Sequence, residues 1–98
     1  MPAAPLLTDD EITAALRDLD GWQSREGRLV KRFRLRDFRA TVAFVQRLVD
    51  PADEMDHHPD VSILWDTVEL SLWTHAAGGI TARDFRLARA IDELTSSS

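Results

Sequence analysis

Cysteine is absent from the 98 residues, which removes disulfides, thiolate nucleophiles, iron–sulfur clusters and cysteine-based zinc sites together. The same absence fits a reducing compartment. No stretch approaches the ~20 consecutive apolar residues that a bilayer-spanning helix needs. Residues 1–7 have neither the basic start nor the apolar run of a leader, so a soluble cytoplasmic protein without a membrane partner is expected. Positive charge is scarce: 12 Lys and Arg stand against 17 Asp and Glu, a formal net charge of −5. That balance argues against nucleic acid as a partner, because phosphate binding needs a basic face. No glycine-rich phosphate cradle follows a strand, so no nucleotide cofactor is expected, and no serine sits in a nucleophile elbow. Internal repeats are missing too, and low complexity is confined to the serine tail.

What is present suffices for one domain. Hydrophobic residues make up 44% of the chain, enough for a modest core. A chain this short buries a limited share of its surface, so association is a plausible aid to stability. The expected organisation is a single domain over residues 1–98, with loose termini at 1–7 and 95–98.

Thr8, Asp9, Asp10 and Glu11 form a capping-box signature, and Ile12, Ala15, Leu16 and Leu19 then recur at helical spacing. Asp20-Gly21 should stop that helix. Trp22 to Glu26, Gly27, and Arg28 to Leu35 read as a hairpin, with Leu29, Lys31, Phe33 and Leu35 on one side and Val30, Arg32 and Arg34 on the other. Asp37 can cap a second helix, whose apolar face is read as Phe38, Val42, Val45 and Val49, widened by Ala43, Phe44 and Leu48. Pro51 should kink or split it, and Pro59 should end it at His57-His58. Val61, Ile63 and Trp65 alternate, Asp66-Thr67 suggests a turn, and Val68, Leu70 and Leu72 alternate again. Residues 76–79 read as a flexible loop. Thr81 to Asp84 is another cap signature, before Leu87, Ala88, Ile91 and Leu94 at helical spacing. The order α-β-β-α-β-β-α, with two hairpins, predicts an α+β fold: a four-stranded antiparallel sheet with three helices on one face.

All three histidines, His57, His58 and His75, lie in one 19-residue window, with Asp53, Glu54, Asp56, Asp60 and Asp84 around them. Imidazole gives and takes protons near neutral pH, so the cluster is a candidate for general acid–base chemistry. The plainer alternative is that His57 and His58 merely close a helix, where positive charge is favoured. If residues 52–58 are helical, Asp53 lies one turn below His57 and Glu54 one turn below His58, and each carboxylate can orient an imidazole. Otherwise these are ordinary surface ion pairs, each worth less than ~1 kcal/mol. His75 lies just past a strand, where a rigid scaffold often holds a functional group. Asp84, three residues after Thr81, also reads as a capping partner at a helix start. A metal site is not expected, since adjacent histidines on a helix point about 100° apart and match no zinc signature. Trp22, Trp65 and Trp73 suit either the core or a cover for a flat heteroaromatic ligand.

The run Asp53-Glu54-Met55-Asp56-His57-His58-Pro59, then Trp65, Thr74-His75, Gly79-Ile80-Thr81 and Asp84, resembles the pterin-4a-carbinolamine dehydratase family. Gly21-Trp22, Phe33 to Phe38, Leu87-Ala88 and Ile91-Asp92 fit it as well, so the likeness runs from about Leu6 to Leu94. It implies the same sheet and helices, and dimers or dimers of dimers. It also implies the dehydration of 4a-hydroxytetrahydropterin to quinonoid dihydropterin, which supports tetrahydropterin recycling after an aromatic amino acid hydroxylase. On that resemblance His57, His58, His75 and Asp84 are the catalytic set. Substrate contacts are then expected from His58, Asp53, Pro59, Trp22 and Thr74, with no metal and no cofactor, the pterin being the substrate. Asp53 stands where the family usually has glutamate, Pro51 interrupts a helix that is normally continuous, and Trp65 takes a place usual for tyrosine or tryptophan. The competing expectations are a non-catalytic dimerisation or assembly partner built on the same fold, and a metal-dependent hydrolase.

Overall fold

Both halves of the first capping box are made: the Thr8 hydroxyl accepts from the Glu11 amide at 3.1 Å, and the Glu11 carboxylate accepts from the Thr8 amide at 2.8 Å. In the computed structural model, which describes residues 4–96, helix α1 (Asp9–Leu16) starts there. It ends earlier than its spacing predicts. Residues 17–19 tighten into i→i+3 turns that still bury Leu19, and Gly21 then takes a left-handed φ of +84°. Thr8→Ala is expected to cost about 1 kcal/mol, read as a lower urea midpoint; an unchanged midpoint would mean that packing alone holds this helix.

The first hairpin is β1 (Gln23–Arg25) and β2 (Arg28–Arg34). Its two-residue turn, Glu26-Gly27, has both φ values positive, at 53° and 74°, as the right-handed twist of a tight hairpin requires. β3 (Asp60–Leu64) and β4 (Thr67–Leu72) form the second hairpin, and the sheet order is β1-β2-β4-β3, antiparallel throughout. The turn falls at Trp65-Asp66, one residue before the predicted one. Trp65 therefore leaves the strand, with a φ of +56° and 68% of its surface exposed.

Alternation decides the faces. Leu29, Phe33, Val68, Leu70 and Leu72 are buried on the helix side, as predicted. Lys31 shares that side by carrying its amine to the rim, where it donates to the Asp20 carbonyl and to Asp92. The open face is polar, and there the Arg32 guanidinium beside Glu69 holds its carboxyl below the usual carboxylate range.

The second helix is split, as Pro51 predicts, into α2 (Phe38–Arg47) and α3 (Val49–Met55). The break falls at Leu48 because proline offers no N–H to the carbonyl four residues back, that of Arg47. The predicted apolar face needs correcting. Thr41, Phe44, Leu48 and Ala52 are buried, whereas Phe38, Val42 and Val49 are exposed. α4 (Ala82–Ser96) packs Phe85, Leu87, Ala88 and Ile91 into the core. Three helices, the second in two segments, thus cover one face of the sheet.

The segments expected to be loose are described only in part. The Leu7 amide donates to the Ile80 carbonyl, and α4 includes Thr95; residues 1–3, 97 and 98 lie outside the described residues. Residues 76–79 form a bonded turn rather than an open loop, with Gly78 at φ +77° donating to the Thr74 carbonyl and Gly79 bridged to Thr74.

Candidate active site

Asp84 is the centre of the site. It lies in the first turn of α4 and is 0% exposed. One oxygen does what the cap signature predicts, accepting from the Thr81 amide at 2.9 Å, and it also accepts from the Thr74 hydroxyl at 2.9 Å. The other oxygen is 2.6 Å from His57 Nε2. Asp84 thus caps α4 through one oxygen, as its spacing predicts, and meets His57 through the other. The Thr74 and Thr81 hydroxyls are bonded to each other at 2.8 Å, and among the described residues no buried side-chain polar atom lacks a partner. A carboxylate oxygen accepts from an imidazole N–H, so Asp84 engages His57 through Nε2 and leaves Nδ1 as the ring nitrogen without this partner.

His57 is brought to Asp84 by the way α3 ends. Asp56 adopts a left-handed conformation (φ 48°, ψ 45°), which aspartate tolerates better than most residues. The amides of Asp56 and His57 then close back onto the carbonyls of Asp53 and Ala52, a Schellman-type stop. Arg83 locks the same corner by donating to the carbonyls of Met55 and Asp56. As a result His57 turns inward and is only 7% exposed.

This geometry corrects the predicted pairing of Asp53 with His57. The helix ends at Met55, so the one-turn register no longer applies; Asp53 instead bonds His58 Nε2 at 2.9 Å across five residues, with both side chains well exposed. Pro59 follows His58, is half-buried, and lines a hollow of about 180 Å³ with His58 and Val61.

His75 is exposed and directly follows Thr74, the residue that bonds Asp84. Its ring stacks on Trp73, with centroids 3.9 Å apart, and Trp73 Nε1 donates to Asp60 Oδ2 at 3.1 Å. Asp60 follows Pro59. A closed circuit of contacts and chain neighbours therefore links the three histidines: His57, Asp84, Thr74, His75, Trp73, Asp60, Pro59, His58. It lies where β4 ends, β3 begins and α4 starts.

Trp22, expected to contact substrate, is not brought to this cluster. It is 4% exposed, packs edge-on against Phe33 and donates Nε1 to Asp92, at the opposite end of α4 from Asp84. A large aromatic with one polar atom is satisfied there as a core residue. Trp65 stands away from the histidines too, beside Phe38 and Val42 in a groove of about 780 Å³. A second groove, of about 720 Å³, flanks α2 between Phe33, Phe44 and several arginines, and neither groove includes a histidine. Among the described residues no three His, Asp or Glu side chains converge as a metal ion would require.

Sequence spacing does not single out Arg83, and it gives neither Asp60, one of the carboxylates around the histidines, nor Trp73, read as core or ligand cover, its partner. The contacts of Asp60 with Trp73 and of Arg83 with the end of α3 arise from long-range pairing, whereas Trp73 meets His75 only two residues on, at the spacing that puts two side chains on one side of an extended segment.

The fold and contacts define a class: a small α+β protein whose sheet end carries three histidines, one of them held by a buried carboxylate. Within that class the chain belongs to the pterin 4 alpha carbinolamine dehydratase family, whose model matches residues 5–94. A relative from Thermosynechococcus vestitus, provisionally named pterin-4-alpha-carbinolamine dehydratase, is 46% identical over 91 residues, covering 93% of this chain and 96% of that one. The crystal structure of a transcriptional coactivator/pterin dehydratase from Brucella melitensis superposes with a TM-score of 0.85 at 32% identity, covering 90% of this chain and 96% of that one. A pterin dehydratase-like protein described as a RuBisCO assembly factor in the alpha-carboxysome matches with a TM-score of 0.62 at 26% identity, covering 79% and 89%.

Proposed function

We propose that this protein dehydrates 4a-hydroxytetrahydropterin to quinonoid dihydropterin and water. The single observation that carries the reading is the buried His57–Asp84 pair, linked by contacts and chain neighbours to His58 and His75. The reaction breaks the C4a–O bond, and the oxygen leaves as water once it has received a proton. A ring nitrogen loses a proton to form the quinonoid product. One imidazolium and one neutral imidazole supply both transfers, without metal or cofactor. His57 works through Nδ1, because Asp84 occupies Nε2. His75 is the second proton carrier, exposed and beside Thr74. His58, oriented by Asp53, binds the pterin, with Pro59 shaping the approach. Steady-state formation of quinonoid dihydropterin, followed with and without EDTA, tests the metal-free part: turnover should be unchanged by chelation, and loss restored by added metal would favour a metal-dependent hydrolase.

The active form is a homo-oligomer, a dimer or a dimer of dimers, working in the cytoplasm in support of tetrahydropterin recycling. β3 is an edge strand whose residues are all exposed, and Val61 and Ile63 on its helix side are not covered by the helices. Phe38, Val42, Val49 and Trp65 extend this apolar strip. Such a surface suits a second copy better than water. Light scattering should give two or four times the 11.1 kDa chain, and Ile63→Lys should lower that mass. A wild-type protein at the mass of one chain would refute the assembly.

The assembly-factor relative favours a second reading, in which the same fold serves as a non-catalytic partner of another protein. Partner capture that survives loss of all three histidines, with no turnover by wild type, would select it.

A further inference from the structure

His57 and His58 are each held by a carboxylate; among the described residues, His75 has no ring hydrogen bond. Its ring is nevertheless placed. It lies 3.9 Å from the Trp73 indole, centroid to centroid, at an interplanar angle of 27°. Trp73 is braced in turn. Its Nε1–H donates to Asp60 Oδ2 at 3.1 Å, and Arg28 sets its guanidinium carbon 4.7 Å from the indole centroid. Arg28 and Asp60 are themselves paired at 3.7 Å. These groups come from the start of β2, the start of β3 and the end of β4, so the brace spans three strands.

We propose that Trp73 is a positioning residue: its indole, braced by Asp60 and Arg28, sets the ring plane of His75. An exposed histidine has two free side-chain torsions, and holding both costs conformational entropy. A stacked indole restrains both without occupying either ring nitrogen. Both nitrogens therefore stay available for proton transfer, which a carboxylate partner would not allow. Asp60 directly follows His58-Pro59, so the same brace keeps the loop of His58 in register with His75. The catalytic consequence rests on the dehydratase reading; the stack itself does not.

Two measurements on the full chain test this. In the wild-type protein, NMR of the His75 ring protons should show an upfield displacement from the indole ring current, absent in Trp73→Ala. In turnover, Trp73→Ala should lower kcat about tenfold or more, within what misplacing a reacting group can cost, with KM little changed. Trp73→Phe, which keeps a stacking face, should recover most of the loss. In a His75→Ala background, Trp73→Ala should have no further effect. An undisplaced His75 in wild type would overturn the proposal. So would equal losses from Trp73→Ala with and without His75, since that pattern marks a purely structural role. Absence of wild-type turnover would instead sink the dehydratase reading and the catalytic consequence with it, while a displaced His75 that relaxes in Trp73→Ala would still uphold the platform.

Discussion

Turnover of the His57→Ala protein is expected to fall by about a hundredfold or more, the range that positioned proton transfer contributes. Alanine does two things at once, because it also leaves Asp84 buried without its imidazole partner. His57→Gln separates them. Its side-chain amide can donate to Asp84 but cannot carry a proton through the cycle, so it should lose comparable activity while unfolding closer to wild type. His75→Ala provides the complement. Its ring is exposed, so its removal should cost no more than about 1.5 kcal/mol, the upper range for an aromatic pair, yet turnover should fall as steeply as for His57. Circular dichroism and urea melts accompany each rate. Folded variants at either position with near-normal turnover would remove that histidine from the proton-transfer pair.

Asp84→Ala should give the largest loss of stability among single substitutions at the site, about 3 kcal/mol, because each buried donor left unsatisfied costs about 1–3 kcal/mol and the lost helix cap about 1 kcal/mol. The carboxylate accepts from His57, Thr74 and the Thr81 amide, and every one of these loses its partner. The start of α4 loses its cap in the same step. Asp84→Asn keeps the shape and one carbonyl acceptor, but its amide must face either His57 or the Thr74 and Thr81 donors. It should therefore fall between alanine and wild type. Urea midpoints measure both. A midpoint for Asp84→Ala within experimental error of wild type would show that the network is slack, and the choice of Nδ1 as the working nitrogen of His57 would lose its basis.

Local chemistry made most of the fold readable. Thr8 with Glu11, Thr81 with Asp84, Glu26-Gly27 and the alternation of Val68, Leu70 and Leu72 each specify an element from its own residues. The inward face of the second helix was not readable. Phe38, Val42 and Val49 are as apolar as Phe44 and Leu48, and periodicity cannot choose between two apolar stripes on one helix. The choice depends on where the sheet lies and on the edge position of β3, which leaves the outer stripe uncovered. The site shows the same division. Its histidines stand out by type and spacing, whereas Asp84 reads by spacing as a helix cap and joins them only through the family resemblance. The partner of Asp53 was not readable, because one left-handed residue, Asp56, shifts everything after it out of helical register. Trp22 and Trp73 could not be told apart by residue type. One meets Asp92, 70 residues away, and the other Asp60 on the neighbouring hairpin strand, and only tertiary pairing decides those partners.

The central claim is best tested by stopped-flow absorbance on freshly generated 4a-hydroxytetrahydropterin, with wild-type protein, with His57→Gln, and with buffer alone. Wild type is expected to speed the decay to quinonoid dihydropterin well beyond buffer, and His57→Gln to lose nearly all of that acceleration. A folded wild-type protein that leaves the buffer rate unchanged would contradict the dehydratase reading.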